Sequence, residues 1–212
     1  MNDLSLKREL IEVARGERPA HMLIRNGTLI NVYSGELLPA NVAIYRDRIA
    51  YVGSREDFIG DETEVIDAKG YYLSPGYIEP HAHPWVLYNP ISLVSKVLPL
   101  GTTTIVNDNL FFYLHMGPDG FKKMVLDLDD LPGHLLWLVR IVSQADFPGE
   151  REWFATQRVK ELLHLDQVVG TAEVTRWPLL YQGDPFALEP VLEAKELGKI
   201  SDGHTAGCSY DK

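Results

Sequence analysis

The most constraining feature of this 212-residue sequence is a regular succession of apolar strand-like segments separated by helix-like segments. The strand-like cores lie at 76–81, 101–106, 134–142, 168–174 and 199–204. The last four end at intervals of 36, 32 and 30 residues, measured at Val106, Val142, Val174 and His204. Alternating strands and helices imply a parallel sheet, and this interval is close to one unit of a (β/α)8 barrel. We therefore predict an α/β fold with a TIM-type (β/α)8 barrel, of which about five units are present.

The chain before residue 74 has a different pattern of apolar and turn-forming residues. Residues 4–15 place apolar side chains at helical spacing, which predicts a short amphipathic helix. The stretch that follows, up to Tyr72, has short β-branched and aromatic runs broken by turn residues, with turns predicted at Asn26-Gly27 and Gly35. We predict three parts: an N-terminal helix in 1–20, a small β-sandwich-like domain in 21–73, and the partial barrel in 74–212.

Composition restricts the classes of partner. A formal net charge of −10 argues against binding to a phosphate backbone, which depends on clustered lysines and arginines. The sequence has no run of about 18 apolar residues, and charged residues interrupt its first segment, whereas a secretory signal needs an uninterrupted apolar centre. The single cysteine, Cys208, excludes an internal disulfide and an all-cysteine zinc site. We expect a cytoplasmic protein with a small-molecule partner, no nucleic acid and no membrane.

Polar residues coincide with three of the predicted strand ends. His81 and His83 end the first strand, and side chains at i and i+2 of a strand point to the same face. Glu173 and His204 end the fourth and fifth strands. Taken alone, a His-x-His pair is more often two polar side chains in a strand-to-loop segment. Because functional residues of a barrel come from the carboxyl ends of several strands, we expect these four side chains to meet.

The chemistry of this set is that of a metal-dependent hydrolase. Imidazole nitrogens and carboxylate oxygens bind divalent ions, and a carboxylate can bridge two of them. Glu173 lies in an otherwise apolar strand, where a buried carboxylate is normally protonated or paired with a cation, and a metal partner explains it better than a packing role. Two cations that share a water molecule make it acidic enough to give hydroxide near neutral pH. The sequence therefore predicts hydrolysis at an electrophilic carbon.

Four segments carry a resemblance to a known family: PGYIEPHAH (75–83), GTTTIV (101–106), TAEVTRWP (171–178) and SDGHTAG (201–207). Together they resemble the amidohydrolase superfamily and, within it, the adenine deaminase branch. The similarity extends from about residue 21 to the end of the sequence. The β module before the barrel resembles the composite domain that these enzymes build from both ends of the chain.

The resemblance implies a binuclear metal centre. In it, His81 and His83 are ligands of the more buried ion, Glu173 bridges the two ions where many relatives use a carbamylated lysine, and His204 binds the second ion. Manganese or iron is favoured by the resemblance, and zinc is compatible with the same ligands. The family also has a sixth-strand histidine and an eighth-strand aspartate, which would lie beyond Lys212, so we expect a chain that ends after the fifth barrel strand.

The implied reaction, part of purine metabolism, converts adenine and water to hypoxanthine and ammonia through a metal-bound hydroxide. Glu173 and Asp108 are the predicted catalytic residues, and Arg176 and Trp177 the predicted substrate-binding residues. Adenine deaminases usually follow the GTTT strand with Asp-Pro-His-Glu, whereas this chain keeps Asp108 but has Leu110 and Phe111 in place of the His and Glu. The alternatives are therefore another cyclic amidine or amide as substrate, or an inactive fragment or binding module.

Two further expectations concern the rest of the chain. A barrel with five of eight strands leaves two unpaired sheet edges, so we expect association into a homo-oligomer, or an insoluble or inactive chain. His115, His134 and His164 have no second ligand nearby in the sequence and are predicted to be surface or helix-end residues.

Overall fold

The computed structural model describes residues 3–210. The chain divides into two compact units, Met1–Pro75 and Gly76–Lys212. Each unit has its own hydrophobic core. Within residues 3–210, every helix is too short or too polar to serve as a membrane span.

The first unit is a mixed sheet with one helix packed on it. Its elements are α1 (Asp3–Arg15), β1 (Met22–Ile30), β2 (Leu37–Tyr45), β3 (Arg48–Gly53), β4 (Glu64–Asp67) and β5 (Tyr72–Leu73). β2 pairs antiparallel with both β1 and β3, whereas β4 and β5 run parallel to β1. Val13 of α1 is buried in one core with Leu23, Ala43 and Phe58. The amphipathic helix predicted for residues 4–15 is confirmed.

The Asn26-Gly27 pair does not form the turn predicted there. It lies inside β1, where the pairing with β2 shifts register between Ile24 and Gly27. Asn26 has a φ of 61°, and its backbone N–H donates to Asn41 Oδ1 at 2.9 Å. The prediction was wrong because a β-bulge uses the same left-handed conformation as a tight turn. The turn predicted at Gly35 is confirmed, with a φ of 75° between β1 and β2.

The second unit is built on a parallel sheet whose five strands lie in chain order. They are β6 (Tyr77–Ala82), β7 (Thr102–Asp108), β8 (His134–Arg140), β9 (Val168–Val174) and β10 (Ile200–Gly203). All five predicted strands are confirmed, with ends within two residues of those predicted. Parallel neighbours in chain order, with helices between them, are what successive units of a (β/α)8 barrel produce.

Helices connect these strands. They are α2 (Pro90–Val97), α3 (Leu110–Asp127), α4 (Glu150–Trp153), α5 (Thr156–Leu163), α6 (Pro178–Tyr181) and α7 (Pro185–Glu196). Two of these helices, α4 and α5, are short and lie between β8 and β9. α3 is kinked where Gly117, with a φ of 68°, precedes Pro118. The main core lies between the sheet and these helices and includes the fully buried Trp137.

Lys199 fixes the start of β10, the strand that leads to His204. Its ammonium donates to the carbonyl oxygens of Leu163 (2.5 Å), Leu165 (2.8 Å) and Val168 (2.6 Å). Partial burial lowers the pKa of the Lys199 ammonium. These bonds tie the residue before β10 to the segment that runs from the end of α5 to the start of β9.

Candidate metal centre

Polar side chains collect where β6, β9 and β10 end. His81 lies near the end of β6 and His83 directly follows that strand. Glu173 is the last but one residue of β9, and His204 follows β10. Because the strands are parallel, their carboxyl ends lie at one edge of the sheet. The structure brings these four predicted metal ligands together at that edge.

Three imidazoles lie close to the Oε1 oxygen of Glu173. It lies 2.9 Å from His83 Nε2, 3.0 Å from His81 Nε2 and 3.3 Å from His204 Nε2. The Nε2 atoms of His81 and His83 are themselves 2.9 Å apart. The side chain of Glu173 is 7% exposed, whereas that of His204 is 56% exposed. His81, His83 and Glu173 thus form a compact inner group, with His204 on its solvent side.

This donor set fits a divalent cation. Nitrogen lone pairs and a carboxylate oxygen repel one another at such distances unless a proton or a cation lies among them. Ligand atoms of His81, His83, Asp108 and Glu173 all lie within 4.8 Å of one another. Imidazole nitrogen and carboxylate oxygen are the donors that zinc, manganese and iron accept in proteins. The cluster could therefore hold a metal ion.

Asp202, which sequence analysis did not identify, holds the other ring nitrogen of His81. Its Oδ2 atom lies 2.6 Å from His81 Nδ1. A carboxylate in this position keeps the proton on Nδ1 and leaves the Nε2 lone pair available to an ion. Asp202 precedes His204 by two residues, the same spacing as in the His81/His83 pair. That repeated spacing is the signal that could have identified it.

A buried arginine at the end of β8 joins two acidic strand ends. Arg140 is fully buried, and its Nε donates to Asp108 Oδ2 at 2.5 Å. The same guanidinium donates to Glu173 Oε2 and, at 3.1 Å, to the Glu173 carbonyl oxygen. The cationic partner expected for Glu173 is thus supplied in part by the chain itself. Arg140 was not among the predicted site residues, although it is a lone arginine in the apolar run HLLWLVRIV.

The pKa values of the two carboxyl groups that contact Arg140 are shifted in opposite directions. Burial raises the pKa of Asp108, even though Arg140 and the Leu110 N–H, which donates to Oδ1 at 2.7 Å, act in the opposite direction. Burial also acts on Glu173, but Arg140 and the surrounding imidazoles outweigh it and lower the pKa of that carboxyl. Glu173 is therefore ionised at neutral pH, as a metal ligand must be.

The backbone of Glu173 is strained. Its φ of 25° lies in the left-handed region, which residues other than glycine rarely adopt. The carbonyl oxygen of Glu173 accepts the Thr175 N–H at 2.6 Å in addition to the Arg140 guanidinium. These two hydrogen bonds offset the cost of the conformation. Strained residues of this kind concentrate at functional sites.

The predicted substrate-binding pair lies on the segment that follows β9. Arg176 forms an ion pair with Glu150, a buried carboxylate that also accepts the Ser143 N–H at 2.9 Å. The indole N–H of Trp177 donates to the Ala206 carbonyl oxygen at 2.9 Å. The contact between Trp177 and Ala206 connects the segment after β9 to the segment after β10. Both side chains are half-buried.

An aromatic groove adjoins the centre at His83. The Trp85 indole stacks on the His83 imidazole, with ring centroids 5.0 Å apart and an interplanar angle of 20°. Phe111 and Phe112 meet Trp85 edge to face, at centroid distances of 5.6 and 5.9 Å. The groove has a volume of about 370 Å³ and is lined by Trp85, Val86, Phe111, Phe112 and His115. Aromatic walls of this kind bind planar rings.

Comparison with curated proteins shows similarity along most of the chain. Two proteins named "Putative adenine deaminase", from Bacillus cereus and Halalkalibacterium halodurans, are 38% and 39% identical over 202 and 203 residues. These matches cover 95% of this chain and 34% and 35% of the relatives. The chain thus spans about a third of the length of the curated relatives it matches. No family model matches the chain. The predicted resemblance to adenine deaminases is confirmed.

Solved structures share the fold. An N-acyl-D-glutamate deacylase from Bordetella bronchiseptica matches 88% of this chain with a TM-score of 0.56 and 18% identity, over 45% of its own length. A D-hydantoinase from Bacillus sp. AR9 matches 86% of this chain with a TM-score of 0.55 and 20% identity, over 39% of its own length. At such identities the likeness concerns the fold alone. It confirms the predicted fold class, a (β/α)8-type barrel portion preceded by a small β unit.

Replacing Arg140 with Met should destabilise the chain strongly when metal is removed by EDTA. The substitution leaves Asp108 and Glu173 buried without their cationic partner, which typically costs about 3–5 kcal/mol of unfolding free energy. Urea unfolding followed by circular dichroism measures the loss. The matched control is Arg151→Met, which breaks an exposed pair with Asp184 (2.7 Å) and should cost far less. Equal losses in the two variants would contradict a structural role for the buried pair.

Proposed function

We propose that this chain supplies the first part of the active site of a metal-dependent aminohydrolase that acts on adenine or a similar heterocycle. The observation that carries the proposal is the convergence of three imidazoles on Glu173 Oε1 at the carboxyl edge of a parallel sheet. The relatives named adenine deaminase support the reaction type, because the similarity covers 95% of the chain. Since the chain spans about a third of those relatives, the reaction of the whole protein is itself part of the proposal.

The proposed ligands divide into an inner and an outer set. His81, His83 and Glu173 would hold the more buried ion, and His204 would bind a second ion that shares Glu173. A divalent ion bound here would supply a Lewis acid that lowers the pKa of a water molecule. Manganese or iron follows from the resemblance, and the structure of the Bordetella deacylase contains zinc. All three metals accept these donor types.

The chain's own groups have distinct proposed tasks. Asp202 orients His81 by holding its Nδ1 proton at 2.6 Å. Glu173 directs Oε1 to the imidazoles while Oε2 is held by Arg140, so Oε1 is the atom available to a ligand or a proton. Both oxygens of Asp108 accept hydrogen bonds from protein donors, and we propose that it acts by positioning Arg140.

The aromatic groove indicates the substrate class. Its walls are indole and phenyl faces, and His115 is its one titratable lining group, which suits a flat ring more than a charged or extended molecule. Phe111 stands where adenine deaminases usually have a polar residue, and this favours a second candidate substrate, a cyclic amide or another cyclic amidine. Arg176 and Trp177 are proposed to border the substrate from the β9 side.

Assembly with further copies of the chain is also proposed. Tyr77 and Ile78 lie on β6, an edge strand of the parallel sheet, and their side chains are 63% and 65% exposed. Large apolar side chains on a sheet edge favour association with other chains. A homo-oligomer would cover them.

Removing any one of the inner ligands should weaken metal binding. The purified protein should take up Mn²⁺ in titration calorimetry, and His81→Ala and Glu173→Gln should each weaken binding by at least about tenfold, because each removes a donor. His164→Ala is the matched control, since this imidazole pairs with Glu193 at 3.1 Å, away from the cluster. Unchanged affinity in both ligand variants would remove the metal site from the proposal.

The reaction itself is tested by its products. Incubation of the Mn²⁺-loaded full-length protein, to whose active site this chain is proposed to contribute, with adenine should release ammonia and hypoxanthine, and Glu173→Gln should lower the rate by at least about a hundredfold. Chromatography and an ammonia assay identify the products. A ring-opened product from a cyclic amide, without ammonia from adenine, would favour the second candidate. Turnover that is unaffected by EDTA would contradict a metal-dependent mechanism.

The substrate is proposed to contact two regions, the aromatic groove at Trp85 and the segment after β9 at Trp177, and an alanine variant of each tryptophan tests its region. If the groove binds the ring, Trp85→Ala should raise the dissociation constant for adenine about tenfold, the equivalent of one stacked aromatic pair. Trp177→Ala should have a smaller effect, because its indole N–H is held by Ala206. Calorimetric titration with adenine gives both constants. A large effect at Trp177 with none at Trp85 would assign the ring to the segment after β9.

A further inference from the structure

Asp108 lies among the candidate ligands without being free to act as one. Its carboxylate is within 4.8 Å of the ligand atoms of His81, His83 and Glu173. However, Oδ1 accepts the Leu110 N–H at 2.7 Å and Oδ2 accepts Arg140 Nε at 2.5 Å. The carboxylate is fully buried, so no water competes for these oxygens. Asp108 is therefore held as the partner of an arginine at the point where a fourth ligand would be expected.

Arg140 also changes the net charge of the cluster to which a divalent ion would bind. Asp108 and Glu173 alone would present two negative charges in a buried environment, and the guanidinium reduces this to a single net negative charge. Charges interact strongly where water is excluded, so one buried positive charge beside the cluster has a large effect on a divalent ion. The affinity of carboxylate sites for divalent ions depends on the number of charged ligands.

We propose that Arg140 pairs with Asp108 and so prevents it from acting as a metal ligand, and that the positive charge of Arg140 lowers the affinity of the centre for a divalent ion. The inference rests on the proposed metal-dependent function and adds a residue that controls it. Arg140 is a positioning residue in this account, because it acts through Asp108 and Glu173. A purely structural role predicts the opposite effect, since damage to the edge of the sheet would weaken ion binding.

The test is Mn²⁺ titration of metal-free wild type, Arg140→Met, Arg140→Gln and Arg140→Lys. The two neutral variants should bind Mn²⁺ at least about tenfold more tightly, whereas Arg140→Lys, which keeps the charge, should stay within about threefold of wild type. Adding Asp108→Asn to Arg140→Met should remove most of the gain, because Asp108 is the ligand that is released. Arg151→Met is the control and should leave the affinity unchanged.

Equal or weaker Mn²⁺ binding in the neutral variants, with native circular dichroism and cooperative unfolding, would overturn the inference. If the neutral variants do not fold, NMR of the wild-type protein decides. The Arg140 Nε–H signal should remain slow to exchange when diamagnetic Zn²⁺ is added, since Asp108 stays paired with Arg140. Rapid exchange or loss of that signal on Zn²⁺ addition would show that Asp108 leaves the arginine for the ion, and would overturn the inference.

The Mn²⁺-binding measurements distinguish a failure of the inference from a failure of the proposed function. Mn²⁺ binding that depends on Glu173 but is not tightened in the neutral variants contradicts the inference alone. Binding that is detectable in Arg140→Met but not in wild type supports the inference, because the arginine then suppresses an otherwise competent site. Absence of binding in wild type and in both folded neutral variants contradicts the inference and the metal site together.

Discussion

The buried guanidinium of Arg140 is the interaction on which the geometry of the centre depends. It crosses from β8 to its two neighbours, bonding to Asp108 at the end of β7 and to Glu173 near the end of β9. An arginine with no solvent exposure requires anionic partners, and two buried carboxylates require a cation. The three ends of adjacent strands are therefore held together by attraction between the guanidinium and the two carboxylates. The candidate ligands lie around the oxygen of Glu173 that this arrangement leaves free.

Several contacts fix both the orientation and the charge of the Glu173 carboxylate. Arg140 holds both its Oε2 atom and its carbonyl oxygen, so the carboxylate is directed even though the φ of the residue is strained at 25°. The lowered pKa of Glu173 keeps it charged beside the imidazoles. Asp202 on β10 performs a comparable task for His81 on β6, the strand at the opposite end of the sheet order. A ligand set oriented by partners on other strands needs little rearrangement to bind an ion.

The sequence allowed the barrel strands and the convergence of His81, His83, Glu173 and His204 to be predicted, because both follow from simple periodicities. The recurrence of strand ends at 30–36 residues indicates the parallel units, and the i, i+2 spacing places two histidines on one face. Arg140 could not be assigned from the pattern, since its role depends on two residues more than 30 positions away. The bulge at Asn26 was mistaken for a turn because the local backbone preference is the same in both.

The central claim is that imidazoles of β6 and the Glu173 carboxylate bind a divalent ion directly. X-ray absorption spectroscopy of the protein loaded with one equivalent of Zn²⁺ tests it most directly, because scattering from imidazole rings is distinctive. The account predicts nitrogen and oxygen ligands at about 2.0–2.2 Å, with imidazole outer-sphere scattering that is lost in a His81→Ala, His83→Ala double variant. A spectrum of oxygen ligands alone, identical in wild type and double variant, would contradict it.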